Sequence, residues 1–173
     1  MPFRIEEIDD RLIVRDTPSG HWTFGSVFVL SGIMVLSLTV FSDVWQEYVL
    51  WERLAALALG IGHLGIGSWY VFKHFETITT FDRRTDSALS VRRRPFSSRR
   101  ETAEFKVSDA RSIEIRRSVD SDGDPLYQLR LWLSGSRVLP LQGQPARNQA
   151  TTEEAAATLR HALSLPDSAA PHA

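Results

Sequence analysis

Two long apolar runs, followed by a switch to strict alternation, organise this chain. The first run extends from Trp22 to Phe41, within a stretch free of Asp, Glu, Lys and Arg between Asp16 and Asp43. The second extends from Leu54 to Phe72 and is bounded by Arg53 and Lys73. A helix needs about 20 apolar residues to cross the hydrocarbon core of a bilayer. The pattern therefore predicts a two-helix transmembrane hairpin over residues 17–74. The preceding segment, FRIEEIDDRLIVRD, mixes acids and bases and lacks the basic n-region of a signal peptide. The first helix is thus expected to be retained as an anchor.

Beyond Phe75 the apolar residues recur every second position, the mark of half-buried strands. The predicted strands are ETITTFDR, ALSVRR, ETAEFKV, SIEIRRS, LYQLRLWL and RVLPLQ. In the fifth, Tyr127, Leu129, Leu131 and Leu133 share one face, opposite Gln128 and Arg130. Short polar connections, such as RTDS, DSDGD and SGS, imply hairpins and hence a strongly curved antiparallel sheet or small barrel over residues 75–165. A helix closes this domain. Thr151 and Glu154 form its expected capping box, Ala155, Leu159, Ala162 and Leu163 its apolar face, and Pro166 its stop. Residues 166–173 read as a flexible tail. RLIVR, after the Asp9–Asp10 turn, gives residues 1–16 strand character and is expected to add a strand to the sheet.

Charge orients the hairpin. The connector SDVWQEYVLWER carries one base, Arg53, against Asp43, Glu47 and Glu52. Arg4, Arg11 and Arg15 precede the first run, and Lys73, Arg83, Arg84 and RRRPFSSRR follow the second. The positive-inside bias places both termini in the cytoplasm. Trp22, Trp69 and Tyr70 would then mark the inner interface, and Trp45, Tyr48 and Trp51 the outer one. The net charge of −1 over 173 residues indicates no field for nucleic acid. The absence of cysteine excludes disulfides and thiolate chemistry, and it agrees with a cytoplasmic β-domain.

Within the runs, Gly25, Gly32 and Thr39 recur every seven residues, as do Gly60 and Gly67. Small residues let helix backbones approach where lipid supplies no hydrophobic drive. These stripes are expected to face each other, while Gly62, Gly65 and Ser68 lie on another face, available to a helix of another protein. His63, on the face of Gly60 and Gly67, is a functional candidate because a polar group in hydrocarbon needs a partner. The favoured expectation is a hydrogen bond to a serine, threonine or carbonyl of a neighbouring helix. The alternative is ligation of haem iron or of a chlorophyll-type pigment.

Arg92, Arg93, Arg94, Arg99 and Arg100 place five positive charges in nine residues around Phe96. At a hairpin tip, such a cluster suits lipid phosphates or an acidic partner, with Phe96 as an inserting side chain. An ordinary solvated loop explains it equally. Asp120, Asp122 and Asp124 resemble the start of a calcium loop, but the twelfth position is Leu131 rather than a bidentate Glu, which favours a turn. His21, His74, His161 and His172 lack partners at metal or triad spacing, so no enzyme activity and no metal site are expected.

The layout resembles a family of small bacterial membrane proteins with a two-helix hairpin followed by a pleckstrin-homology-like (PH-like) domain. TTFDRRTDSALSVRRR, VSDARSIEIRRSVDSDGDPLYQLRLWLSGSRVLPL and the closing helix carry the resemblance. It implies a membrane hairpin joined to a PH-like antiparallel domain with a C-terminal helix. It also implies a bacterial inner membrane location, cytoplasmic or intracytoplasmic. Assembly factors of photosynthetic complexes have a similar layout. The leading functional expectation is therefore a non-catalytic accessory, assembly or scaffolding subunit. Its partners would be transmembrane helices of a larger complex, photosynthetic or respiratory. The alternative is a membrane-anchored sensor of anionic lipids through the arginine-rich loop.

Overall fold

The computed structural model describes residues 3–41 and 47–166. Trp45, Asp43 and all of the expected tail beyond Pro166 lie outside the described residues. The chain divides into two compact units, Pro18–His74 and the combination of Met1–Thr17 with Phe75–Ala173.

The first unit is a pair of helices, α1 (Ser19–Phe41) and α2 (Leu50–Lys73). With 23 and 24 residues they are about 35 Å long, enough to cross a membrane, and both are apolar enough to do so. Helix α2 starts four residues before the charge-free run does. The Glu52 carboxylate accepts a hydrogen bond from the Val49 backbone N–H at 3.3 Å, which satisfies one donor at this end. Gly25 packs on Gly67 and Gly32 on Gly60, so the helices run antiparallel.

The second unit is all-β with one helix. A five-stranded antiparallel sheet has the order β1–β2–β3–β4–β5: Phe3–Ile8, Arg11–Asp16, Glu76–Asp82, Ser87–Arg93 and Arg100–Phe105. A three-stranded antiparallel sheet follows, β6 (Ala110–Val119), β7 (Pro125–Leu133) and β8 (Arg137–Pro140). The N-terminal segment supplies two strands rather than one, turning at Asp9, whose φ of 54° is one that Asp tolerates better than most residues. Strands β2 and β3 are neighbours, with Asp16 opposite Thr77. The helical hairpin thus occupies the place of the β2–β3 turn.

Alternation on each strand sends Leu12 and Val14, Phe81, Ala88, Ile113, and Leu129, Leu131 and Leu133 into one core, which the two sheets share. Ala155, Ala156 and Leu159 of α3 (Gln149–Ala162) pack into the same core. The helix cap differs from the expected Thr151–Glu154 box. Asn148 is the N-cap, and its side chain accepts from the Thr151 N–H at 3.1 Å. Asn and Asp are the better caps because their short side chain reaches back to the third residue.

The inner face of β2, β3 and β4 changes character along its length. Leu12, Phe81 and Ala88 at one end give way to Asp16, Thr77, Thr79 and Ser90, all buried, at the other. Thr79 and Ser90 hydroxyls bond each other at 3.0 Å, and Asp16 accepts from the Gly143 N–H at 2.6 Å. The Thr77 hydroxyl, fully buried, has no hydrogen-bond partner among the described residues. The polar end is the end where the chain enters α1 and leaves α2.

Candidate functional site: an arginine-lined hairpin

On β4, Ala88, Ser90 and Arg92 follow one another on the inward-facing parity, so the polar end of the face finishes in a guanidinium. Arg92 lies over the ring of Phe75, 5.2 Å from its centroid. A cation over an aromatic face is held by the ring quadrupole while its N–H donors stay free at the edge. Arg93 points the other way and ion-pairs with Glu76, its cross-strand partner. The Glu76 carboxylate is buried, and it also accepts a hydrogen bond from Thr17 Oγ1 at 3.0 Å. A buried carboxylate needs such pairing, because an uncompensated charge in low dielectric is strongly unfavourable.

The hairpin that joins β4 to β5 carries the rest of the cluster. Arg93 stands opposite Arg100, and like charges directly across a ladder repel. Arg92 stands opposite Glu101, which offsets part of this. At the tip, Ser97 donates its N–H to the Arg94 carbonyl at 3.3 Å, and the Ser97 hydroxyl accepts from the Arg99 N–H at 3.2 Å. Phe96 sits between them with φ of 58° and 94% of its surface exposed. A bulky residue in the left-handed region costs about 1–2 kcal/mol, and an exposed phenyl ring gains nothing from water. Phe75, Arg92, Arg93, Arg94, Ser97, Arg99 and Glu101 together line an open concavity of about 430 Å³. Among the described residues, Arg94, Arg99 and Arg100 form no ion pair. Phe75, Glu76, Thr17 and Glu101 were not legible as site residues. Only strand pairing brings them to the arginines.

The helical unit is organised around glycine. A Cβ on Gly25 would lie 2.8 Å from the Gly67 carbonyl oxygen, and one on Gly32 would lie 2.8 Å from that of Gly60. Gly60 and Gly67 are equally tight against Leu36 and Gly25. Thr39, the third member of the α1 stripe, instead turns its hydroxyl to the Val35 carbonyl of its own helix, at 2.7 Å. Gly62 and Gly65 face open space.

His63 bonds within its own helix rather than to a neighbour. Its Nδ1 lies 2.8 Å from the Leu59 carbonyl oxygen, which can only accept, so Nδ1 carries the proton. In the neutral ring with this tautomer, Nε2 is the atom with a lone pair for a metal centre. The ring stacks on Phe28 with centroids 5.2 Å apart. At the other end of the pair, Trp22 donates its indole N–H to the His74 carbonyl at 3.2 Å, and the His21 and His74 rings lie 4.1 Å apart. Lys73 lies over the Trp69 ring, 4.2 Å from its centroid.

The aspartate-rich turn is closed by an arginine. Asp120 accepts from the N–H groups of Asp122 and Asp124, and Arg147 ion-pairs with Asp120 at 2.8 Å and with Asp124 at 3.5 Å. A guanidinium thus pairs with two of the carboxylates that a calcium ion would need. No group of three His, Asp or Glu side chains able to hold a metal occurs among the described residues.

Fold and site together define a two-unit protein: a glycine-packed helical hairpin inserted into an antiparallel β unit that carries an arginine-lined tip. Compared with known proteins, the chain matches no family model and no curated sequence.

Proposed function

We propose that this chain is a non-catalytic, membrane-anchored protein of a bacterial inner membrane. In this reading the helical hairpin spans the bilayer, both termini are cytoplasmic, and the β unit is a PH-like domain that engages the anionic inner leaflet through the β4–β5 hairpin. One observation carries it: the same hairpin combines guanidinium groups that form no ion pair among the described residues with an exposed, backbone-strained phenylalanine. Each base near an anionic leaflet contributes on the order of 1 kcal/mol, and burying a phenyl ring roughly 2–3 kcal/mol. Connectivity favours it too. Only His74 and Phe75 separate α2 from Glu76, the partner of Arg93.

The chain has no cysteine, so a single Phe96→Cys variant accepts one environment-sensitive dye. Reconstituted in nanodiscs, the dye should shift to the blue and become quenchable from the lipid phase when phosphatidylglycerol is present, and added salt should reverse this. An unchanged dye spectrum in every lipid composition would refute leaflet engagement.

The open faces of Gly62 and Gly65 favour a second reading. In it, the hairpin docks on transmembrane helices of a larger photosynthetic or respiratory complex, as an accessory, assembly or scaffolding subunit. Extraction of native membranes in mild detergent should then recover stoichiometric partner subunits. Recovery of the free monomer would remove this reading.

A further inference from the structure

We infer that the arginine pocket takes a phosphomonoester dianion, and specifically the headgroup of a phosphatidate-class lipid. The inference rests on the leaflet-engaging reading above and names its ligand class. Charge is the first argument. Arg92, Arg93, Arg94 and Arg99 bring four positive charges to the pocket; Glu101 in its lining and Glu76, paired with Arg93, bring two negative ones. The balance is 4 − 2 = +2. A phosphodiester headgroup, with a single charge, leaves half of this uncompensated. A phosphomonoester carries about −1.5 to −2 at neutral pH and matches it.

Geometry gives the second argument. The guanidinium fork pairs with two phosphate oxygens at once. A diester presents one edge of two free oxygens to a bidentate fork, whereas the three terminal oxygens of a monoester present three such edges. Arg94 and Arg99, without carboxylate partners, supply two free forks. Arg92 is held over Phe75 with its edge donors available. The third argument is the apolar neighbourhood. Phe75 lines the pocket and Phe96 projects beside it, which suits a phosphate carried on a lipid rather than one free in water.

Because inorganic phosphate shares the recognised chemistry, the test separates the two sources. The full chain in uncharged detergent is titrated calorimetrically with short-chain phosphatidate, short-chain phosphatidylglycerol and inorganic phosphate. Phosphatidate should bind about fivefold tighter than phosphatidylglycerol, the effect of roughly one additional charge pairing, and inorganic phosphate more weakly than either lipid. The Arg94→Gln/Arg99→Gln variant, with an unchanged far-UV circular dichroism spectrum, should lose the preference between the two lipids. Inorganic phosphate binding as tightly as phosphatidate overturns the lipid assignment. Equal affinity for the two lipids overturns the monoester assignment and leaves leaflet engagement standing. Binding of neither lipid overturns both.

Discussion

Replacing Gly67 with Ala tests how the helical hairpin is held. A Cβ at Gly67 would lie 2.6 Å from the Gly25 carbonyl oxygen, 2.8 Å from the Val29 nitrogen and 2.9 Å from Phe28 Cβ. Two of these are backbone atoms and cannot rotate away. Restoring ordinary contact at 3.4 Å needs a local separation of about 0.8 Å, and a gap of that size forfeits a quarter to a half of each van der Waals well around it. Overpacking of this kind costs about 1–3 kcal/mol. Helix propensity works in the other direction, by roughly 1 kcal/mol in favour of Ala. The net expectation for Gly67→Ala is destabilisation of about 0–2 kcal/mol. Gly62→Ala is the matched control. Nothing lies within 4 Å of its Cβ, so only the propensity gain remains. The propensity gain is common to both, so the two variants should differ by the overpacking cost of about 1–3 kcal/mol in reversible denaturation of the full chain by dodecyl sulfate in mixed micelles, followed by far-UV circular dichroism. Equal stabilities would refute close glycine packing as the basis of the hairpin.

Phe96→Gly should separate stability from membrane engagement. It relieves a positive φ, which raises folding stability by about 1 kcal/mol, while removing the apolar tip lowers protection of the hairpin by anionic lipid in hydrogen exchange. Asp16 should make stability fall with pH. Burial raises its pKa, outweighing the hydrogen bonds from the Gly143 and Gln144 backbone that lower it. Between its unfolded value of about 3.9 and the raised folded value, the folded state binds more protons than the unfolded state, so stability decreases as pH rises through that window. Asp16→Asn should flatten this decline in thermal unfolding from pH 3.5 upward. A wild-type-to-variant difference that stays constant with pH would contradict it. At the Asp120 turn, millimolar calcium should leave the unfolding midpoint unchanged, because Arg147 already pairs with Asp120 and Asp124. An upward shift on adding calcium would contradict that account.

The sequence by itself determined the two apolar helices, the six strands after residue 75 and the closing helix. Each rests on a periodicity that is local, set by the order of apolar and polar residues within the segment. The glycine spacing was legible for the same reason, since residues seven apart lie on one helix face. Other features required the fold. His63 looks like an interhelical hydrogen-bonding group by its place on the glycine face, yet its Nδ1 meets the carbonyl four residues earlier in its own helix, as the Thr39 hydroxyl does. Asn148 rather than Thr151 is the cap, and the helix starts at Gln149, two residues before the box motif. The arginine cluster was visible as a charge run. Its character as a pocket was decided by β3–β4 pairing, which sets Glu76 against Arg93 from 17 residues away, and by Phe75, brought beneath Arg92. Strand partners are chosen by the whole sheet, so local sequence carries no record of which acid will neutralise which base, or how much charge is left for a ligand.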